Sequence, residues 1–587
     1  MPKIEVNEEV FYTLAGRPGG WSSRDEFEEA LVCAKAELDE DSDKSLPVNE
    51  RTLKIELNDT NRPDLWGTAG CGRQLRIYHS GKKPVYDFFS RTGDKKKAAC
   101  KVKVETSVQQ IRPYIAGFIA RGKAITDPML RDMIQTQEKL AWNFGRKRRT
   151  FSMGIYRISL IKWPITYKGV DPDSVSFVPL AAEEHGLPSS PITMREILKQ
   201  HPKGREFAFT LEDKPLHPLL IDSQGLILSY PPIINSNDLG AVQVGDSEIF
   251  VELTGTEMPI MNLATSIVAC DLADNGFTIE PVEFEYEFDT PFGRNIVTPY
   301  YFQEPVFCSL SRIETFLGEK LNAGECVSAL ERMGVTAEKA EDTERGQKEK
   351  TQGVRVYPPE YRNDFLHAAD VTEDVMIGRS LGSFKPQRPA DSTVGRLLPI
   401  TLFSRQIKEL FIGLGYQEMI YNYLGSRKDL VENMRGDGSR IIRIFNPMTE
   451  NYEYVRDSVL ASLMTSETIS GRSVYPHKIF EVGKVAWLDE TENTKSKTHQ
   501  FAGFLHAGSD ANFNTAAAEL QALFYYLSRE YNVQESSDPR FIPGRAAAIM
   551  YNGNEVGVFG ELHPEVLDNC GVTVPCIGGE IDLDLLM

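Results

Sequence analysis

Four acidic side chains with the chemistry of cation ligands lie close together in residues 354–379, which read VRVYPPEYRNDFLHAADVTEDVMIGR. Alternating valines and a Pro-Pro pair predict a short strand that runs into an extended turn. A helix should follow, with Asp370 as its N-cap and Glu373 three residues later. Because positions i, i+3 and i+4 share one helix face, the carboxylates of Asp370, Glu373 and Asp374 are expected to converge. Asp364 can approach them from the preceding loop.

Two interpretations of this acidic group remain open on the pattern alone. In the first, the acids cap the helix and complement its dipole, which requires no ligand and is the commoner arrangement. In the second, they bind a hard cation such as Mg²⁺, because clustered carboxylate oxygens repel one another unless a cation offsets their charge.

The composition is that of an ordinary globular protein with several domains. The chain has 587 residues, 41% of them hydrophobic and 25% charged, and this length exceeds a single core. Its net charge of −19 argues against non-specific binding of nucleic acid over the whole surface. The eight cysteines include no CxxC pair, which is typical of reduced thiols. No secretory signal or membrane-length apolar run is present, so we expect a soluble, cytoplasmic protein.

One basic stretch interrupts the acidic background. Residues 146–149, RKRR, form the C-terminal end of a helix predicted over Gln135–Arg149. A phosphate contact is expected here if the chain binds nucleic acid. The alternative is that these cations complement the C-terminal end of the helix dipole.

The motifs together resemble the beta subunits of phenylalanyl-tRNA synthetases of the archaeal/eukaryotic type. The run RNDFLHAADVTEDV is similar to the R-x-D and D-x-x-E-D of that family. The N-terminal run NRPDLW matches its first module, and LIDSQGLILSYPPIIN and VELTGTE match its editing domain. Near the C-terminus, NP, R-x-S-x-L, FEVG and GELHPE resemble its class II synthetase core.

The resemblance implies two sets of site residues. The family assigns its clustered acids to a Mg²⁺ at the contact with the alpha subunit. In this chain those metal ligands are Asp364, Asp370, Glu373 and Asp374. The implied pocket for removing a mischarged amino acid consists of Leu220, Ser229, Asn235, Glu252 and Thr254.

The chain departs from its relatives at the implied pocket. Glu252 stands where the family usually has Asp, one methylene shorter. Relatives typically carry G-x-H-D-L-D, whereas this chain reads GIYRIS from Gly154, with Tyr156, Arg157 and Ser159 in place of His and two Asp. We therefore expect tyrosyl-tRNA hydrolysis that is present but impaired.

The C-terminal part lacks the residues that the aminoacylation chemistry needs. Catalytic class II cores use F-R-x-E and G-x-G-x-x-R to hold ATP and the adenylate. The chain contains no F-R pair, and its last domain contains no G-x-G-x-x-R. We therefore expect no catalytic residues for aminoacylation in this chain.

The expected fold class is an α+β multidomain protein. We expect an N-terminal α/β module over residues 1–85 and a strand-rich tRNA-editing domain over residues 86–301. A Mg²⁺-bearing helix–strand module at the alpha-subunit contact should occupy residues 302–385. A class II synthetase-like antiparallel-sheet core without catalytic motifs should occupy residues 393–587.

The resemblance also implies the function and its partners. The chain should pair with a catalytic alpha subunit in an α₂β₂ tetramer, share a Mg²⁺ with it, and charge tRNA(Phe) with phenylalanine using ATP. Two alternatives remain: a free-standing aminoacyl-tRNA deacylase and a non-enzymatic tRNA-binding scaffold. A co-purifying alpha subunit would exclude both alternatives.

Overall fold

The computed structural model describes residues 3–91, 96–239, 241–343, 349–470 and 473–587. The chain divides into two compact units, Met1–Gln387 and Arg388–Met587. Each unit combines helices with β-sheets, which confirms the expected mixture of helices and several sheets. Within the described ranges, no helix combines the length and apolar character needed to cross a membrane.

The first unit begins with a small three-stranded module. Its sheet has the order β1-β3-β2, and Ile4, Val6, Leu53 and Ile55 are buried on the face that packs against the helices. The elements of this module are β1 (Lys3–Asn7), α1 (Glu8–Leu14), α2 (Arg24–Leu31), β2 (Ala36–Glu40), β3 (Thr52–Leu57) and α3 (Thr68–Ser80).

A large twisted sheet forms the middle of the first unit. The elements are β4 (Cys100–Val104), β5 (Tyr114–Arg121), α4 (Asp127–Lys139), β6 (Phe151–Arg157), β7 (Ile165–Val170), β8 (Ser176–Phe177), β9 (Ile192–Thr193), α5 (Met194–Gln200), α6 (Pro202–Phe207), β10 (His217–Ile221), β11 (Ile227–Tyr230), β12 (Ile234–Asn235), β13 (Glu248–Gly255), α7 (Met258–Asp274), β14 (Thr278–Tyr286) and β15 (Asn295–Thr298). The sheet order is β12-β11-β10-β7-β4-β14-β5-β13-β6, with β15 beside β14. The apolar helix α7 lies buried against β5, β13 and β14.

The helix predicted from Gln135 differs from the observed one. Helix α4 starts earlier, at Asp127, and continues into a π-helical segment, Leu140–Phe144. Gly145 ends this segment, so the basic residues that follow lie in a turn and not on a helix end.

A second three-stranded module closes the first unit and repeats the topology of the first. Its elements are β16 (Val306–Ser309), α8 (Leu310–Leu317), α9 (Ala323–Arg332), β17 (Thr336–Thr343), β18 (Lys350–Tyr357) and α10 (Ala368–Arg379). Its sheet order, β16-β18-β17, corresponds to β1-β3-β2. In both modules the chain runs strand, two helices, two strands, helix. The sequence analysis missed this internal repeat.

Each module is held by an equivalent buried arginine. Arg62 is 1% exposed and donates from Nε and Nη2 to the carboxylate of Asp64, both at 2.8 Å, and to Gln74 at 3.1 Å. Arg362, also 1% exposed, donates to Asp364 at 2.9 and 2.6 Å and to Asp374 at 2.6 and 3.2 Å. The acceptors lie two and twelve residues after the arginine in both modules.

The second unit is built on one mostly antiparallel sheet. The elements are α11 (Pro399–Gly413), β19 (Gln417–Glu418), β20 (Leu424–Gly425), β21 (Ile442–Arg443), β22 (Tyr454–Val455), α12 (Leu460–Ser470), β23 (His477–Leu488), β24 (Ser496–Ala507), α13 (Phe513–Tyr526), β25 (Asn532–Glu535), β26 (Phe541–Tyr551), β27 (Asn554–Leu562), α14 (Pro564–Asn569), β28 (Cys576–Asp582) and α15 (Leu583–Leu586). The sheet order is β19-β23-β24-β28-β27-β26-β25, and β20, β22 and β21 form a smaller sheet.

The R-x-S-x-L and FEVG motifs of this unit meet in a buried ion pair. Arg456 is fully buried and donates from Nη1 and Nη2 to Glu481 at 2.9 and 2.8 Å. A Cβ at Gly483 would come within 2.1 Å of the Arg456 Nη2 atom, so glycine leaves the guanidinium its space. These two motifs therefore have a structural role in this chain.

Arg362→Met should destabilise the first unit by about 3–5 kcal/mol, because it leaves two buried carboxylates without their cation. Urea denaturation of the full chain, followed at the first unit's transition, measures this loss.

Burial alone would raise the pKa of Asp364, but Arg362 and then Arg62 outweigh it and hold this pKa at about 2. The parent should therefore lose stability as the pH falls from about 4 towards 2, and the variant should lose less over this range.

Arg379→Met is the matched control, because Arg379 is partly exposed and pairs with Glu319 at 2.9 Å. Its expected cost is about 1 kcal/mol or less. Equal losses in the two variants would contradict the role assigned to the buried arginine. Adding Asp364→Asn and Asp374→Asn to Arg362→Met should recover part of the lost stability, because no uncompensated carboxylate remains.

Candidate functional site

The four acids expected to bind Mg²⁺ are distributed over three sets of hydrogen-bond partners in the structure. Asp364 and Asp374 both accept hydrogen bonds from Arg362. The Glu373 carboxylate pairs with the Lys35 ammonium at 2.7 Å. Asp370 accepts from the backbone amides of Leu366 and His367 at 2.9 and 2.7 Å. Asp364 and Asp374 therefore meet at Arg362, whereas Asp370 and Glu373 bond to other groups.

The capping prediction is correct in kind but shifted by three residues. The N-cap of α10 is His367, whose side chain accepts from the amide of Ala369 at 3.1 Å. Asp370 is the third helical residue and completes the capping box by bonding back to the His367 amide. The sequence pattern favoured Asp370 as cap because aspartate is a commoner N-cap than histidine.

This arrangement does not fit a shared cation. Among the described residues, no three of the four acids bring ligand oxygens within 4.8 Å of one another. Arg362 already supplies the positive charge between Asp364 and Asp374. The Mg²⁺ assignment of these acids stays a prediction from the resemblance.

A cavity of about 250 Å³ lies among the strands of the large sheet. Three of the five predicted pocket residues, Ser229, Asn235 and Glu252, line it. Ser229 and Asn235 are paired across β11 and β12, and Glu252 lies on β13 opposite Gly154 of β6. Residues distant in sequence therefore meet because neighbouring strands hold them in register.

Leu220 and Thr254 lie next to the cavity but are not among the residues that line it. Leu220 is fully buried and pairs with Ser229 across β10 and β11. Thr254 is fully buried, and its hydroxyl accepts a hydrogen bond from Arg112 Nε at 3.1 Å. Arg112 also donates to the Thr254 carbonyl at 2.7 Å and to the Ser152 hydroxyl at 3.2 Å. Arg112 thus fixes strands β6 and β13 where they border the cavity.

Tyr156 forms a hydrogen bond with Glu252. The tyrosine is fully buried and donates its hydroxyl to Glu252 Oε1 at 2.8 Å, while the other carboxylate oxygen, Oε2, is buried without a hydrogen-bond partner in the described chain. A Cβ at Gly154 would come within 2.2 Å of the Tyr156 hydroxyl and 2.7 Å of Glu252 Oε1. Glycine at this position therefore makes room for both groups.

Burial raises the pKa of Glu252 to about 7, against the opposing effects of the Tyr156 hydroxyl and Arg112. Near neutral pH this carboxyl group can therefore either donate or accept a proton. Its Oε2 atom can bond a polar group that enters the cavity.

The other two residues that depart from the family pattern, Arg157 and Ser159, have different surroundings. Arg157 Nε pairs with Asp246 at 2.9 Å. Ser159 lies in the short 3₁₀ turn Ile158–Leu160 and is exposed. Of the three replaced positions, Tyr156 is thus the one in contact with a predicted pocket residue.

Sequence reasoning missed His201, which lines the cavity together with His185. His201 is 1% exposed, its Nδ1 accepts from the Lys203 amide at 3.1 Å, and its Nε2 has no hydrogen-bond partner in the described chain. Burial lowers the pKa of His201, which favours its neutral ring. The available signal was the capping pair His201-Pro202 at the start of α6, which by itself indicates only a helix start.

Glu252→Gln should raise the thermal midpoint relative to the parent, increasingly so from pH 5 to pH 8. The folded parent keeps its Glu252 proton up to about pH 7, whereas the unfolded chain releases it near about 4.3. The folded state binds more protons between these values, so its stability falls as pH rises. Glutamine cannot ionise, so the stability of the variant does not fall with pH for this reason. Thermal unfolding over a pH series measures the difference.

Glu248→Gln, at an exposed glutamate on the same strand, is the matched control. The same pH-dependent gain in both variants would contradict a buried proton at Glu252.

Comparisons with known proteins cover both units. The family model for the phenylalanyl tRNA synthetase beta chain CLM domain matches residues 385–583, and that for the tRNA synthetase B5 domain matches residues 306–379. The chain is 42% identical to the phenylalanine–tRNA ligase beta subunits of Treponema pallidum and Borreliella burgdorferi, with 100% of each chain covered.

A solved structure is also similar to this chain. It is an N-terminal fragment of the phenylalanyl-tRNA synthetase beta subunit from Pyrococcus horikoshii, 34% identical, with a TM-score of 0.55. The match covers 64% of this chain and 99% of the fragment. With the full-length similarity to curated relatives, this shows that the chain belongs to the family of phenylalanine–tRNA ligase beta subunits.

Proposed function

We propose that this chain works as the beta subunit of a phenylalanine–tRNA ligase, which charges tRNA(Phe) with phenylalanine using ATP. The observation that carries the proposal is the 42% identity to named beta subunits over the whole of both chains. We place the activity in the cytoplasm, where charged tRNA is consumed. The division into four domains, with the boundaries given above, belongs to the same proposal.

The chain requires a catalytic alpha subunit, with which we propose an α₂β₂ tetramer. The name of the relatives, beta subunit, supports a partner chain. The second unit also exposes large apolar side chains that typically mark protein contacts. Phe445 and Met448, in one loop, are 101% and 97% exposed.

The Mg²⁺ requirement belongs to the ligase reaction, in which ATP is used as its magnesium complex. The shared ion at Asp364, Asp370, Glu373 and Asp374 is supported by the resemblance alone, because these side chains have protein partners. No step of the function proposed for this chain passes through it.

The cavity lined by Ser229, Asn235 and Glu252 is proposed to bind and hydrolyse mischarged tyrosyl-tRNA. Tyrosine differs from phenylalanine by one hydroxyl, and a buried polar group aimed at that hydroxyl discriminates strongly between them. Glu252 Oε2 is a buried oxygen without a hydrogen-bond partner in the described chain, and we propose that it bonds this hydroxyl. Tyr156 holds the other oxygen of Glu252, which supports an editing activity that is present but impaired.

Within the family, we propose the archaeal/eukaryotic type. The similarity to the Pyrococcus horikoshii fragment supports this placement, although the curated relatives named above come from bacteria.

The two alternative functions are less well supported. A free-standing deacylase would not need the second unit, yet the CLM family model matches almost all of it. A non-enzymatic tRNA-binding scaffold would not need a cavity with an unpaired buried carboxylate oxygen at its wall.

Co-expression with an alpha subunit tests the ligase function. The chain alone should show no pyrophosphate exchange with phenylalanine and ATP, whereas the co-purified pair should charge tRNA(Phe). Phe445→Asp combined with Met448→Asp should weaken alpha-subunit capture by at least about tenfold, because it buries charge at the contact. Val244→Asp, at an exposed apolar residue of the first unit, is the control. Pyrophosphate exchange by the single chain would contradict the proposal that the alpha subunit is the catalytic one.

Deacylation of preformed tyrosyl-tRNA by the assembled enzyme tests the editing function. Glu252→Ala should slow hydrolysis by about tenfold or more, because it removes a hydrogen-bonding carboxylate. Tyr156→His should speed it, because both oxygens of Glu252 become available to the substrate hydroxyl. If the parent hydrolyses the ester no faster than buffer, the pocket does not edit. If the parent hydrolyses tyrosyl-tRNA and Glu252→Ala does so at the same rate, the editing pocket lies elsewhere.

A further inference from the structure

A second cavity, of about 390 Å³, lies beside the first. The two cavities share Gln137, Arg148, Met153 and Lys203 among their lining residues. The second also has Trp142 and Phe207 at its wall. We call it the Trp142 cavity.

The chain bordering the Trp142 cavity has an unusual backbone. After the π-helical segment, Arg146, Lys147 and Arg148 adopt φ angles of 49°, 56° and 63°. Three successive non-glycine residues in the left-handed region are unfavourable, and such geometry is retained mainly at functional sites. The buried Arg112 stabilises the turn by donating to the Arg148 carbonyl at 3.1 Å.

The turn aims cations at an aromatic surface. The Trp142 side chain is 45% exposed, and the Lys147 ammonium lies 5.2 Å from its ring centroid. The Arg148 guanidinium stacks over the Phe207 ring at 4.1 Å and donates to the Pro232 carbonyl at 2.9 Å. Arg148 therefore connects the aromatic wall with the edge of the editing pocket.

Acidic groups are also present but do not dominate the charge. Glu138 and Glu206 line the cavity, and Glu206 pairs with Lys203 at 3.0 Å. The exposed Arg146 and Lys147 lie in the adjoining turn. Within an otherwise acidic chain, these cations give the mouth of the cavity a local affinity for anions.

We propose that the Trp142 cavity binds the terminal base of the tRNA 3′ end, with the preceding phosphates on Arg146 and Lys147. This rests on the editing function proposed above. The substrate is an amino acid esterified to the terminal ribose, so when the amino acid enters the 250 Å³ pocket the base must lie next to it. A single-stranded end is held by an aromatic stacking surface beside cations, and the Trp142 cavity provides both within reach of Glu252's pocket.

The test measures binding of 3′-deoxy-3′-(tyrosylamino)adenosine, a non-hydrolysable mimic of the tyrosylated end, to the assembled enzyme. A phenylalanyl-adenylate analogue keeps the alpha active site filled. Trp142→Leu should weaken binding by about tenfold or more, and Trp142→Phe, which retains a stacking ring, should stay within about threefold of the parent. Phenylalanine charging should be unchanged in both variants.

A second readout addresses the phosphates. Lys147→Ala should raise KM for tyrosyl-tRNA hydrolysis and reduce its salt dependence. Arg131→Ala, at an exposed cation on α4 outside the Trp142 cavity, should do neither. If the parent binds the mimic and Trp142→Leu binds it equally well, the inference is wrong and the editing proposal stands. If the parent neither binds the mimic nor hydrolyses tyrosyl-tRNA, the editing proposal fails and this inference with it.

Discussion

A buried guanidinium group must have its charge and its N–H donors satisfied by the protein, and in both units a carboxylate beside it does this. Arg62, Arg362 and Arg456 are at most 1% exposed, and each donates to a carboxylate. Leaving such a charge unpaired costs several kcal/mol, about 3–5 by analogy with broken buried pairs. In the two three-stranded modules the partner lies two residues after the arginine. The ion pair therefore fixes the path from the last strand into the following helix.

The same requirement explains why clustered acids need not indicate a metal. Carboxylates that approach one another must be offset by positive charge, and near α10 the side chains of Arg362 and Lys35 supply it. Arg362 lies in the same run of sequence as the acids, whereas Lys35 precedes Glu373 by 338 residues, so this second cation cannot be found from the local sequence. Lys35 belongs to the first module and Glu373 to the second, and their ion pair joins the two repeats.

The cavity in the large sheet depends on the opposite situation, a buried acid without a full ion pair. Glu252 is 2% exposed, and Arg112, the cation that acts on its pKa, is engaged by Thr254, Ser152 and backbone carbonyls. Desolvation therefore prevails and raises the pKa of Glu252 to about 7. Tyr156 bonds one of its oxygens, and the other remains available. A group in this state is suited to recognise a hydroxyl in a dry pocket.

The sequence by itself determined the family and the mixture of helices and sheets. These follow from ordered motifs and from strand alternation, which are local properties of the chain. Of the five pocket residues that the resemblance implies, Ser229, Asn235 and Glu252 line one cavity and Leu220 and Thr254 lie next to it, and their role in editing stays a prediction. Only the tertiary structure decided that Arg362 and Lys35 neutralise the acids, that Tyr156 reaches Glu252, and that Arg146 to Arg148 form a left-handed turn. Each of these depends on contacts between distant segments or on backbone strain held by Arg112, which residue spacing cannot reveal.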